Sequence, residues 1–288
     1  MRNTILFGNG LNRISNNSVS WDHLLETIKG VNSFKNKSLP NTMVYERIFM
    51  ERHSKKSNHN DDEMAIKNSI ACVMKSQETN EIYSYLAEMD VSNYLTTNYD
   101  YAFEKALELI INPLRLSTED IYSLRRKRKY ETDFGDKFLW NIHGEIDHPK
   151  SIMLGLDHYC GSVSKIDSYI KGNYKHISEG EVVTVEPMKS KIKDNIYCTT
   201  SWVDLFFSTN VHILGLSLDY SETDIWWLLN KRARFAVDGL INNKIYFHVN
   251  KIDEEMAGLL KSFYVDVVVT ELDNKKYKQM YKSMLNKV

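Results

Sequence analysis

The segment Thr4-Ile5-Leu6-Phe7-Gly8-Asn9-Gly10-Leu11-Asn12 joins a short apolar run directly to a Gly-x-Gly turn. A run of this kind, without polar alternation, reads as a strand covered on both faces, the habit of parallel sheets under helices. Five more such runs follow, at 91–96, 138–142, 211–216, 244–249 and 265–269, and most end in Gly, Asn or Asp. Helical patterns lie between them. Trp21, Leu24, Leu25 and Ile28 fall at i, i+3, i+4 and i+7, an inward stripe on one helix. Ile225, Trp226, Leu228, Leu229 and Ala233 make a broader stripe after Ser221, which with Glu222 and Asp224 reads as a capped start. This alternation predicts an α/β fold: a Rossmann-like, doubly wound, mainly parallel six-stranded sheet.

Two stretches depart from the alternation and read as insertions. Residues 32–90 carry helical patterns at 43–50, 63–74 and 81–89 around a polar run at 52–62, and predict a helical lobe. Residues 156–195 are polar, with Gly161, Gly172, Gly180 and Pro187, and are expected to be irregular. With these insertions, 288 residues fit a single domain spanning 1–288.

Lys+Arg 37 against Asp+Glu 38 gives a net charge of −1, which argues against a whole-protein role on nucleic acid or a membrane surface. The one basic block, Arg125-Arg126-Lys127-Arg128-Lys129, reads as a solvated face or loop, with a partner or nucleic-acid contact as the alternative. Cys72, Cys160 and Cys198 are far apart, with no C-x-x-C. That pattern points to a reducing compartment without disulfides or a zinc ribbon. The expectation is a cytoplasmic protein with no membrane segment, no signal sequence and no metal.

Polar residues gather at predicted strand ends, where open parallel sheets bind ligands. Gly8 and Gly10 suit either backbone approach to a diphosphate or a tight turn that needs positive φ. Thr97, Asn98 and Asp100 could hold sugar hydroxyls, or cap a helix starting near Tyr101. His143, beside Gly144, is either a general base with room for substrate or a structural histidine. Gly215, Ser217, Asn250 and Asp266 complete the set, and His148, His158 and Cys160 match no zinc spacing.

Taken in order, Gly8-Asn9-Gly10, Thr97-Asn98-Tyr99-Asp100, His143-Gly144, Gly215-Leu216-Ser217, Asn250 and Asp266-Val267 resemble the sirtuin family. The chain looks most like the sirtuin-like NAD-consuming domains of bacterial antiphage defence, which also carry an Ile/Leu-Gly stretch, here Ile152-Met153-Leu154-Gly155. The resemblance implies NAD+ as substrate, bound across the strand ends. It implies Gly8, Asn9, Gly10 and Asn12 at the diphosphate side, and Gly215, Ser217, Asn250 and Asp266 toward the adenosine. Thr97 belongs to the same loop. Asn98 would hold the nicotinamide ribose and the attacking water, Asp100 would stabilise that loop, and His143 would be the base. Asn9 and Asn12 stand where the family usually has Ala and Ser, and the four zinc-binding cysteines of deacylating members are absent.

The expected activity is NAD+ glycohydrolysis by an abortive-infection effector. A non-catalytic NAD or ADP-ribose sensing module and a protein-modifying transferase are the alternatives. Restraint of such an effector implies a homo-oligomer or a separately encoded regulatory or sensor protein. Residues 32–90 and 273–288 are the candidate contact surfaces.

Overall fold

A computed structural model describes residues 2–30, 34–36, 38–53, 59–107, 114–115, 121–196 and 199–288. Its strands are β1 (Asn3–Phe7), β2 (Asn93–Thr96), β3 (Leu114–Arg115), β4 (Lys127–Thr132), β5 (Gly135–Asn141), β6 (Lys175–Ser178), β7 (Glu181–Thr184), β8 (Asn210–Leu214), β9 (Ile245–Val249) and β10 (Val265–Val269). Its α-helices are α1 (Trp21–Lys29), α2 (Asn41–His53), α3 (His59–Met74), α4 (Glu81–Glu88), α5 (Ala102–Ala106), α6 (Leu156–Lys171), α7 (Met188–Lys193), α8 (Trp202–Ser208), α9 (Thr223–Val237), α10 (Glu254–Ser262) and α11 (Tyr277–Leu285).

Eight strands form one sheet in the order β10-β9-β8-β1-β2-β5-β4-β3. The six strands from β10 to β5 in that order are mutually parallel and correspond to the six apolar runs. Numbered by chain position alone, those six run 3-2-1-4-5-6, the Rossmann order, and the order reverses between β1 and β8. Period-2 alternation along β1 sorts its side chains onto two cores. Leu6 faces α6, α8 and α9 with Leu95, Trp140 and Ile213. Ile5 and Phe7 face α4, α5 and α11 with Tyr94, Leu139 and Leu214. A third core lies among α1, α2 and α3, and it also takes in Tyr99, Ile152 and Leu154 from loops of the sheet.

The basic block is not a solvated loop. Lys127, Arg128 and Lys129 belong to β4, which adds antiparallel to β5 and extends the sheet beyond the six expected strands. Arg126 is 3% exposed, and Arg126 and Arg128 face the fully buried Glu145, with Arg128 Nη2 2.5 Å from Glu145 Oε2. Pairing lets these cations leave water, which an unpaired cation could not do cheaply. Residues 156–195, expected to be irregular, hold the sixteen-residue α6, the β6–β7 hairpin and α7. Gly172, at φ 80°, terminates α6 as a left-handed cap. Cys72 and Cys160 are exposed free thiols, and Cys198 lies outside the described residues. No described helix is long and apolar enough to cross a membrane.

Candidate functional site

A cleft of about 630 Å³ opens at the carboxyl ends of β1, β2, β8 and β9, across the point where strand order reverses. Its volume lies in the range that takes a small-molecule ligand. Asn9, Gly10, Thr97, Asn98, Gly215, Ser217 and Asn250 all line it. Seven residues separated by up to 241 positions thus meet at one sheet edge. Trp21 of α1, Met256 of α10 and Met280 and Met284 of α11 supply apolar wall, and Phe247 and Val249 come from β9.

The loops after β1 and β8 interlock. The Gly8 amide donates to the Leu214 carbonyl at 3.2 Å, and the Gly10 amide to the Gly215 carbonyl at 2.7 Å. A Cβ on Gly8 would stand 2.8 Å from the Gly215 carbonyl oxygen. Close backbone approach, rather than positive φ, is therefore what demands glycine at 8 and 10, while Gly215 itself has φ 64°. Gly8 sits behind this wall and does not line the cleft.

Asn12 and Asp100 are also behind the surface, 0% and 3% exposed. Asn12 Nδ2 donates to Asp100 Oδ2 at 2.8 Å and to Asn9 Oδ1 at 3.0 Å, and Asn12 Oδ1 accepts from the Tyr83 hydroxyl at 2.6 Å. Asp100 Oδ1 accepts the Ala102 amide at 2.9 Å, so the capping reading accounts for one of its oxygens and not the other. Asn98 Nδ2 lies 3.3 Å from the Tyr83 hydroxyl, to which it donates. Tyr83, on α4, had no signal in the sequence beyond its place on an apolar helix face.

His143 follows β5 and is 2% exposed, and it does not line the cleft. Its Nε2 is 3.2 Å from Asp224 Oδ2, and its Nδ1 is 3.6 Å from Glu222 Oε2. Tyr159 packs edge-on against the ring and donates to Glu222 Oε2 at 3.2 Å. Burial lowers the His143 pKa, but Asp224 and then Glu222 outweigh it and hold it above the ordinary histidine value. Glu222, which does line the cleft, is pushed up to about 6 by burial, partly offset by His143. Gly144 gives substrate no room: its φ is 104°, and a side chain there would collide with the Ser151 backbone.

Glu222 and Asp224 are the residues that sequence reading placed at a helix start. Glu222 is the N-cap position of α9 but makes no side-chain cap, because its carboxylate turns toward Tyr159 and His143. One ligand atom each from His143, Glu222 and Asp224 lies within 4.8 Å of the others, close enough to share a divalent cation. Hydrogen bonds already engage the same atoms, since Asp224 Oδ2 accepts from Ser162 Oγ at 2.8 Å and faces His143. Asp266 is not brought to the site. It is the second residue of β10, exposed, and so lies near the amino end of an edge strand, away from the cleft. His158 is a structural histidine whose Nδ1 accepts the Leu154 and Gly155 amides while Nε2 meets Glu63 at 2.6 Å.

Two similarities bear on the site. Residues 92–185 match the SIR2-like domain family. The NAD(+) hydrolase ThsA of Bacillus cereus (strain MSX-D12) is 32% identical over 93 residues, which is 32% of this chain and 18% of that protein. The chain thus matches less than a fifth of its relative's length. The family match includes Thr97, Asn98, Asp100 and His143, and it includes neither the loop after β1 nor the loop after β8.

Proposed function

We propose that this Sir2-type domain protein hydrolyses NAD+ to nicotinamide and ADP-ribose. The observation that carries the reading is the meeting of Asn98 with Gly215, Ser217 and Asn250 in one cleft, a single residue away from the buried His143–Asp224 pair. The apolar half of the cleft suits an adenine ring, and its polar lining suits ribose hydroxyls and the diphosphate. Breaking the N-glycosidic bond sends its electron pair into the already cationic nicotinamide ring, which leaves neutral without protonation. The protein's task is to orient water at the electron-poor ribose carbon and to accept its proton, which is positioning and electrostatics. Asn98 holds the ribose and the water, and His143 takes the proton. Because His143 stands behind the cleft, Glu222 is the carboxylate that connects it to bound water.

Supporting this chemistry, Asp224 fixes the His143 ring and stabilises its charged form. The effector reading, depletion of NAD+ in antiphage defence, extends from the relative's hydrolase name and from the family resemblance. The same reading places the protein in the cytoplasm and under control of a homo-oligomer or a separate regulatory protein. Of the two candidate contact surfaces, 273–288 has its apolar side already covered, because Met280, Tyr281, Met284 and Leu285 of α11 pack into the core. The exposed face of residues 38–52 and 62–74 is the better surface for a partner.

A second reading, a binding module without turnover, draws on the enclosure of His143. Nicotinamide release from NAD+ by the purified chain, with Asn98→Ala and His143→Ala beside it, separates the two. Hydrolysis by the wild type that both substitutions abolish, with NAD+ still bound by His143→Ala, is the expected result. Tight NAD+ binding with no nicotinamide released at any protein concentration would select the module instead.

A further inference from the structure

The two ends of an asparagine amide are nearly the same shape, so packing alone does not decide which end faces a ligand. In Asn98 the neighbours decide it. The buried Asp100 carboxylate takes the Ala102 amide on Oδ1 and Asn12 on Oδ2. A carboxylate only accepts, so the nitrogen end of Asn12 must face Asp100. That nitrogen's second proton goes to Asn9 Oδ1. The oxygen end of Asn12 is then turned to Tyr83, 2.6 Å away, and takes the single hydroxyl proton. With that proton committed, the Tyr83 oxygen can only accept, and Asn98 Nδ2 is the donor beside it at 3.3 Å. Burial first, and then the nearby charge of Asp100, push the Tyr83 phenol well above its ordinary pKa, so it keeps the proton on which this polarity depends.

We propose that Asp100, Asn12 and Tyr83 are positioning residues that hold the Asn98 amide with its nitrogen inward, leaving its carbonyl oxygen as the end offered to the ligand in the cleft. The chain of bonds crosses three segments, the loop after β1, α4 and the loop after β2, and each member is at most 6% exposed. Asn12, expected from sequence at the diphosphate side, and Asp100, expected to stabilise its loop, both act here through Asn98. The ligand group that an amide oxygen recognises is a donor: a ribose hydroxyl or a water. The inference rests on the proposed NAD+ hydrolysis for its effect on rate, but the orientation itself does not depend on it.

Tyr83→Phe removes the hydroxyl and leaves the ring in the core. The expected result is a fall of about tenfold or more in kcat with NAD+ affinity changed by no more than about twofold. A second arm reverses the polarity. Asn12→Asp alone sets two carboxylates face to face and should inactivate the protein. Adding Asp100→Asn restores one donor and one acceptor across that contact, and should recover activity by about tenfold over Asn12→Asp and raise its melting temperature. In parallel, the side-chain amide resonance of Asn98 is identified in asparagine-labelled protein by its loss in Asn98→Ala. In Tyr83→Phe it should shift and lose protection from exchange. An unmoved Asn98 resonance together with wild-type kcat in Tyr83→Phe overturns the proposal. If the wild type releases no nicotinamide, the hydrolase reading falls, and the resonance and the melting temperature of the double variant still decide the orientation.

Discussion

The Gly10 amide donates to the Gly215 carbonyl at 2.7 Å, which ties the loop after β1 to the loop after β8 across the reversal of strand order. A Cβ at residue 10 would fall 2.7 Å from that carbonyl oxygen and 2.7 Å from the Tyr281 hydroxyl. Gly10→Ala is therefore expected to spread the two loops. The cost should be about 1–3 kcal/mol, as for other overpacked sites. Urea unfolding checks the stability, and NAD+ titration should show weakened binding, since both loops line the cleft.

The carboxylates around His143 predict the direction of a pH effect. A base works in its neutral form, so turnover should rise with pH through the raised His143 pKa. Glu222→Gln removes one of the charges that raise it. The acid limb of kcat/KM should then move to lower pH, measured over about pH 5–9. A limb that stays in place would mean that His143 is not the group being titrated.

His212 and His248 lie side by side across β8 and β9, Nδ1 to Nε2 at 3.0 Å, with Tyr246 stacked on His212. Both are held down to about 4, His212 by burial and His248 by burial first and then by His212 and Lys287. Their folded pKa values are below the unfolded one, so between about pH 6.5 and 4 the unfolded chain binds more protons. Stability should fall as pH falls through that window, by up to about 1.4 kcal/mol per pH unit for each proton taken up. Unfolding free energies from pH 7.5 downward test this, and replacing both residues with Gln should flatten the slope.

Glu145 is 0% exposed and faces both Arg126 and Arg128, with the Tyr101 hydroxyl donating to it at 3.1 Å. Glu145→Ala removes the buried carboxylate that both guanidinium groups face, leaving Arg128 with Glu104 at 3.8 Å. The expected loss is about 3–5 kcal/mol. A melting temperature unchanged from wild type would show that β4 does not depend on this pairing.

Much of the sheet is legible in the sequence because its parallel strands are covered on both sides and so must be continuous apolar runs. β4 escapes that logic. Its sequence, KRKYET, carries four charges, and the buried partner of Arg128, Glu145, lies beyond the next strand. The clustering of Asn98 with Gly215, Ser217 and Asn250 follows from their shared place after parallel strands. Asp266 could have been set aside on the same ground, since it begins β10 rather than ending it. Glu222 was visible only as a helix-start residue, and whether such a carboxylate caps its helix or turns into a cleft depends on what stands opposite. Here Tyr159 and His143 stand opposite. Tyr83 gave no signal, because a tyrosine on a buried helix face looks the same whether or not its hydroxyl joins a network.

The third core, in which Tyr99, Ile152 and Leu154 complete the packing of α1, α2 and α3, bears on how the molecule comes apart. Tyr99 sits between Asn98 and Asp100, and its hydroxyl donates to the Met153 carbonyl at 2.5 Å. The helices cannot detach without uncovering apolar side chains of the same loop that carries the site. Local opening of α1, α2 and α3 is consequently expected to disturb the ligand-binding loop as well, since they share one core.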